Sequence, residues 1–446
     1  MGNDVMAGLA RVGLALAVLA LTATGAAAVP AFAVQTGQPC QGCHVGGFGP
    51  ELTPFGRDFK MRGYTTRMVP FNVPISAMAV ASYVHTLRDQ PSPPAPSFGV
   101  NNNLAVDQVS LFLAGGVGQH LGGFVQATYD GIARAYHWDN LDLRATTATT
   151  VKSTDVILGV SLNNAPTVQD GFNTVPAWSF PYTTSTLAPA PGAAPLMGRL
   201  AQNTIGLTGY AWINSQVYLE FGGYRSPGAQ FLTRAGVDPT NPGNISGVAP
   251  YGRIAWQKNQ GDYNFEFGAF GMAANIFPGR YASVGPTDHY VDLGLDGSFQ
   301  LYAPHKDVVT LNARYTHERQ RLDASQALGA ATNDRDSLDD FRIAASYYWR
   351  NKIGATVGAF DTTGTSDALL YGGNRTLRPD SSGLLFQLDG TPFGDGKGPL
   401  GPRFNMRVGV QYTAYMMFDG ARHDFDSAGH NASDNNTFRV FTWIAY

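Results

Sequence analysis

The sequence predicts an all-β protein, a transmembrane antiparallel β-barrel of about sixteen strands behind a small N-terminal helical segment. Three observations predict it. From residue 71 onward, apolar and polar residues alternate in segment after segment. The connections between these segments alternate short and long. Both cysteines of the 446-residue chain, Cys40 and Cys43, fall before the first of these segments and directly beside His44.

Taken in order, residues 1–33 read as a signal peptide. "LARVGLALAVLALTATGAAAVPAFA" has an apolar run behind Arg11 and ends in the small-x-small triplet Ala31-Phe32-Ala33. Asp4 offsets Arg11, and a start at Met6 would remove that charge. The run is shorter than the roughly 18 apolar residues of a membrane helix, so export is expected rather than anchoring. Residues 34–70 then form the helical segment and 71–446 the barrel.

Composition excludes some functions. The chain has 14% charged residues and a formal net charge of −3, without the basic excess that nucleic acid requires. It holds no defensible Ser-His-Asp constellation, zinc cluster or phosphate loop, which argues against hydrolytic and group-transfer chemistry.

Cys40-Gln41-Gly42-Cys43-His44 has the spacing of a c-type haem attachment site. Two thiols three positions apart can each form a thioether with a haem vinyl group. The adjacent histidine then sits beneath the iron as proximal ligand. A disulfide here would close only a tiny loop. A thioredoxin-like pair calls for a βαβ context, and a zinc site needs more ligands nearby. For the distal position, "LTPFGRDFKMRG" predicts a short helix with Thr53 as N-cap, Pro54 at its first position and Gly63 as its stop. Met61 falls on its last turn and is the candidate distal ligand. His120 and His305 are rivals expected at the same end of the molecule, and a five-coordinate iron is the remaining alternative.

Strand segments begin near residues 73, 104, 119, 134, 152, 204, 215, 249, 262, 288, 307, 339, 352, 382, 403 and 436. In "RFNMRVGVQYTAYM", Phe404, Met406, Val408, Val410 and Tyr412 share one face, and Asn405, Arg407, Gly409 and Gln411 the other. In "YVDLGLD", Val291, Leu293 and Leu295 alternate with Asp292, Gly294 and Asp296. Short turns alternate with long polar stretches at 88–102, 164–203, 225–248, 273–287, 321–338, 362–380 and 419–435. This is the pattern of an outer-membrane barrel with short periplasmic turns and long outer loops. It predicts that 164–203 and 419–435 lie outside the cell. Two connections break the pattern: 390–402 is long where a short turn is expected, and 131–133 is short. In the last strand, Phe438, Val440, Thr442, Ile444 and Tyr446 share a face, but Phe441 and Trp443 make the other face almost as apolar. Either face could point outward. A soluble all-β protein would instead bury its apolar faces and divide into smaller sandwiches.

The motifs "FAVQTGQPCQGCH" and "LTPFGRDFKMRGYT", with the barrel behind them, resemble the fused outer-membrane monohaem cytochrome–porins of iron-oxidising bacteria. The resemblance covers residues 32–70 by motif and the remainder by architecture. It implies one covalent haem c at the periplasmic end of the barrel or within its lumen. It also implies electron transfer from extracellular Fe(II) to a periplasmic cytochrome or other redox carrier. Where related sequences carry a histidine and aromatics after CxxCH, this chain has Val45-Gly46-Gly47-Phe48-Gly49-Pro50.

Independently of the family, a lipid band about 25 Å tall is too insulating for electrons to cross without a cofactor placed within it. "ARHDFDSAGHNASDNN" offers His423, Asp424, Asp426, His430 and Asp434 as a candidate outer-loop collecting site for Fe(II), with His85, His289 and His317 expected on the same rim. The alternatives are electron flow outward to an external acceptor and a solute porin in which the haem is a structural plug.

Overall fold

The computed structural model describes residues 30–70 and 73–446. Of the expected signal peptide, only residues 30–33 fall within them; they open the first helix.

Sixteen long strands form the barrel. They are β1 (Ile75–Thr86), β2 (Asn103–Val117), β3 (Leu121–Asp130), β4 (Ala135–Val151), β5 (Thr154–Asn163), β6 (Ile205–Ile213), β7 (Val217–Arg225) and β8 (Ala249–Gln260). The second half comprises β9 (Tyr263–Pro278), β10 (Asp288–Tyr302), β11 (Val308–Arg321), β12 (Arg335–Trp349), β13 (Ile353–Gly364), β14 (Ser381–Gly390), β15 (Asn405–Met417) and β16 (Thr437–Ala445). A three-residue strand, Gly243–Ile245, pairs with the end of β9 from within the β7–β8 loop. Neighbouring strands are antiparallel throughout, and β1 pairs with both β2 and β16, with Met78 opposite Ala445 and Ile75 opposite Leu113. The β1–β16 pairing closes the sheet. Closure leaves no edge with unpaired amides, as hydrocarbon demands. Strand lengths of 9 to 17 residues meet the roughly 9–11 needed to cross a bilayer at a tilt.

The facing is inverted relative to a soluble protein. Along β15, Asn405, Arg407 and Gln411 are buried in the lumen while Val408 and Tyr412 are exposed. On β10, Asp292 and Asp296 are 2% exposed, against 53% and 49% for Leu293 and Leu295. A continuous outward apolar surface over polar, paired interiors is stable against lipid and not against water. β16 resolves the ambiguity of its two apolar faces: Phe438 and Val440 point outward, while Phe441 and Trp443 are buried inside.

One end of the barrel carries the short turns, at 118–120, 152–153, 214–216, 261–262, 303–307 and 350–352. The connection 391–404 is the long exception at that end. Two bodies of chain occupy the lumen. From the short-turn end enters the N-terminal segment, with helices α1 (Pro30–Thr36), α2 (Cys40–Cys43) and α3 (Pro54–Met61). From the opposite end descends the β5–β6 connection. Here the expectation of an outer loop at 164–203 is corrected for its first part: Val168, Gln169, Asp170 and Phe172 are at most 1% exposed and pack inside the barrel, while Gly192 is exposed and bonds Asp419 at the long-loop end. Ion pairs hold them there. Arg253 on β8 meets Asp170 of this inward loop at 3.0 Å, Glu266 on β9 at 3.1 Å and Asp296 on β10 at 2.7 Å. A buried guanidinium needs such partners, and the loop supplies one of them.

Candidate haem site

The N-terminal segment is shaped by a few side chains acting on backbone. Gln35, fully buried at the end of α1, donates to the carbonyls of Tyr64 and Thr66 at 2.7 and 2.9 Å and accepts from Gly116 N–H on β2 at 2.8 Å. It thereby ties both ends of the segment to the wall. Thr53 caps α3 by accepting from Gly56 N–H at 3.2 Å, Pro54 opens the helix, and Gly63 at φ +66° follows its end, as the sequence predicts. Gly56 allows α3 to lie directly on the CxxC turn, because a Cβ there would stand 2.3 Å from the Cys43 carbonyl oxygen. Arg57 extends from α3 across to three strands, donating to Gln257, Asn264 and Ser298 at 3.2, 2.6 and 3.2 Å.

The stretch after His44 is fixed from the barrel. Gly46 and Gly47 lie at φ +67° and +72°, and a Cβ on Gly46 would overlap Tyr348 and Arg407. This accounts for the Val45-Gly46-Gly47 sequence at this point: a side chain there would collide with the wall. Asn351 accepts from Gly46 N–H at 2.6 Å, and Thr391 donates to the Gly46 carbonyl at 2.8 Å. Gln41 N–H donates to the Gly394 carbonyl at 3.0 Å. The long 391–404 connection therefore has a structural task, gripping the cysteine-bearing turn from the short-turn end. Phe48 packs on Trp443 with ring centroids 4.6 Å apart, which gives the apolar inner face of β16 its partner.

These elements enclose a cavity of about 420 Å³ that Cys40, Cys43 and His44 all line. Its size falls within the roughly 300–1,000 Å³ of small-molecule and cofactor sites. Phe32, Phe59 and Tyr64 of the segment, Phe112 and Phe124 of the wall, and Trp178 of the inward loop supply aromatic lining. Tyr64 stacks on Phe32 at 5.2 Å and donates to Asp142 at 2.6 Å. The residues fit a c-type haem on three counts. The two cysteines are free thiols. Burial, and secondarily the Arg407 guanidinium, pushes the His44 imidazole down to about 4, so it is neutral as an iron ligand must be. His44 Nδ1 is buried without a hydrogen bond of good geometry, and the Glu51 and Gly49 carbonyls offset the burial only in part. Burial raises the Cys40 thiol, and burial with Cys40 nearby pushes Cys43 up to about 12. Reactive dithiols have the opposite shift, so the thioredoxin-like reading is disfavoured.

The other candidate ligands are not brought to this cavity. Met61 is fully buried, but in a separate cluster with Phe172, Tyr210, Trp212 and Tyr218. His120 and His305 lie in exposed short-turn positions, and His120 is bonded to the Thr146 carbonyl at 2.9 Å. Besides Phe59, the α3 side chain that faces the cavity is Lys60, which donates to the Val168 carbonyl and to Asn173 Oδ1 at 2.8 Å each and lies 4.9 Å from the Trp178 ring. Burial, then Arg144, lowers its ammonium to about 7. Helix phase alone could not separate positions 60 and 61, because α3 is wrapped by wall and loop on several sides.

At the long-loop end, His430 pairs with Asp426 at 2.5 Å, His423 contacts Asn431 at 3.2 Å, and Asp424 accepts from Gly429 N–H at 2.7 Å. Asp434 binds Arg88 at 3.2 Å. His85, His289 and His317 each bond a different neighbour, Asn102, Asn275 and Asp339. Among the described residues, no three His, Cys, Asp or Glu side chains are gathered to hold an ion.

Sequence reasoning missed Gln35, Arg57, Lys60, Asn351 and Thr391. Arg57 and Lys60 are visible in the sequence as two cations on the short helix, but nothing local marks them as buried.

No family model matches the chain, and no curated protein does. Among solved structures it is similar to Salmonella typhi OmpF in complex with daunomycin, at 11% identity over 85% of this chain and 100% of that one, with a TM-score of 0.46. It is also similar to Pseudomonas putida OprB at 11% identity, 83% and 94% coverage and TM-score 0.47. An anion-selective porin from Comamonas acidovorans matches at 12% identity, 83% and 98% coverage and TM-score 0.44. By its own closure, strand count and outward apolar band, the chain is a porin-like outer-membrane β-barrel.

Proposed function

We propose that this barrel holds one covalent haem c and moves electrons across the outer membrane, with extracellular Fe(II) as donor and a periplasmic redox carrier as acceptor. The observation that carries the reading is the convergence of Cys40, Cys43 and His44 on one aromatic-lined cavity inside the lumen. When bound, the haem would supply a one-electron centre: one Fe(II) outside becomes Fe(III), and one electron passes inward. The chain's own part is to bind and shield it. Cys40 and Cys43 would form the thioethers, His44 would hold the iron from one side, and the aromatic walls would exclude water and so set the potential. The inward loop closes the lumen above the cavity and is pinned to three strands through Arg253, which favours passage of electrons over bulk solutes.

A second reading, a solute porin with a structural haem plug, is favoured by the porin-like strand number and by the polar, ion-paired lumen wall. Stopped-flow spectroscopy of the haem-loaded protein separates the two. Reduction of a c-type absorption band on mixing with Fe(II) supports the first. An unreactive haem, together with solute flux through reconstituted barrels, would favour the second. Oxidation of the pre-reduced haem by external acceptors, without reduction by Fe(II), would reverse the direction.

A further inference from the structure

The short-turn end is electrically uneven. Connections 303–307, 350–352 and 391–404 carry Lys306, Arg350, Lys352, Lys397 and Arg403 against Asp307 and Asp395. The remaining four short turns carry Lys152 against Asp262 and are balanced. Lys352 is neutralised by Asp395 at 2.7 Å. Lys306, Arg350, Lys397 and Arg403 are exposed and form no ion pair among the described residues.

The same three connections flank the cysteine-bearing turn. Val45 packs with Tyr302, Val308 and Tyr348, beside the first two. Asn351 binds Gly46, and Gly394 binds Gln41. Positive charge therefore concentrates on the arc of rim directly beneath Cys40–Gly47.

From this juxtaposition we infer that the rim formed by 303–307, 350–352 and 391–404 is the docking surface for a periplasmic electron carrier with an acidic face. The inference rests on the electron-transfer reading and names the face through which the electron leaves. Complementary charge steers such transient encounters and raises their rate at low salt. Lipid headgroups are the other anionic ligand at this level, but lipid surrounds all sixteen strands alike, whereas the basic excess of the turns sits on one arc.

The test uses the full barrel in zwitterionic lipid nanodiscs and measures equilibrium binding of two probes, an acidic and a basic monohaem cytochrome c. Binding needs no electron transfer, so its outcome is scored apart from haem loading and Fe(II) oxidation. Wild type should bind the acidic probe with an affinity that falls as salt rises, and should not bind the basic one. Lys306→Glu, Arg350→Glu, Lys397→Glu and Arg403→Glu together should weaken acidic-probe binding by about tenfold or more at low salt. Lys152→Glu, on the other arc, should leave it unchanged. Folding of each variant is checked by heat-modifiable migration on a gel. Equal binding by wild type and the fourfold variant, equal loss in the control, or salt-independent binding overturns the proposal. Loss only of association with phosphatidylglycerol vesicles overturns it too, and makes the arc a lipid contact.

Discussion

At the residue scale, Gly56 and Arg57 show how little sequence is needed to seat the segment. Gly56→Ala forces a Cβ onto the Cys43 carbonyl, a clash with backbone that no rotamer relieves. It should cost about 1–3 kcal/mol and lower the yield of covalent haem on a denaturing gel. Gly198→Ala, where nothing lies within 4 Å, is the matched control and should change neither. Arg57→Ala strands the buried acceptors Gln257 and Asn264 and should cost about 1–3 kcal/mol, read from the thermal midpoint. Lys60 gives a pH signature. Its folded value of about 7 lies below the ordinary 10.5, because burial disfavours the ammonium. The unfolded chain then binds more protons between those values, so the contribution of Lys60 to stability is full above pH 10.5 and is lost as pH falls through about 7. Melting curves should show wild type gaining on Lys60→Met as pH rises from 7 towards 10. An equal or falling difference would contradict the burial argument.

Among the elements, the inward loop is the one that sequence misplaced. Residues 164–203 are rich in Ala, Pro and Thr and read as a solvated outer loop. Their burial depends on partners scattered across the chain, Arg253 for Asp170 and Lys60 for Val168 and Asn173. No local pattern encodes such pairing. Helix α3, by contrast, was legible to the residue, because Thr53, Pro54 and Gly63 act locally. The loop yields two measurements. A cysteine placed at Gly192, which has open space around it, should label from outside intact cells, whereas one at Phe172 should not. Deleting 166–181 removes part of one of the two bodies in the lumen and should raise the conductance of the barrel in planar bilayers, with the N-terminal segment still in place. High conductance in the wild type would contradict the plugged lumen.

For the molecule as a whole, the strand plan was readable because period-two alternation and turn chemistry repeat sixteen times, and each repeat corrects the others. The facing of β16 was not, since Phe441 and Trp443 are apolar yet point inward to meet Phe48. That contact exists only because a second segment fills the lumen. Leu293→Arg, on the lipid face, should destabilise the barrel by about 2–4 kcal/mol if it lies near the midplane.

The central claim is that the lumen of this barrel carries a covalent haem on its one CxxCH motif. The direct measurement is intact-mass analysis with haem staining of the protein from a host that matures c-type cytochromes, beside Cys40→Ala/Cys43→Ala. One haem per wild-type chain, lost in the double variant while the barrel still folds, is the predicted result. A wild type without covalent haem, or a double variant that retains it, would contradict the account.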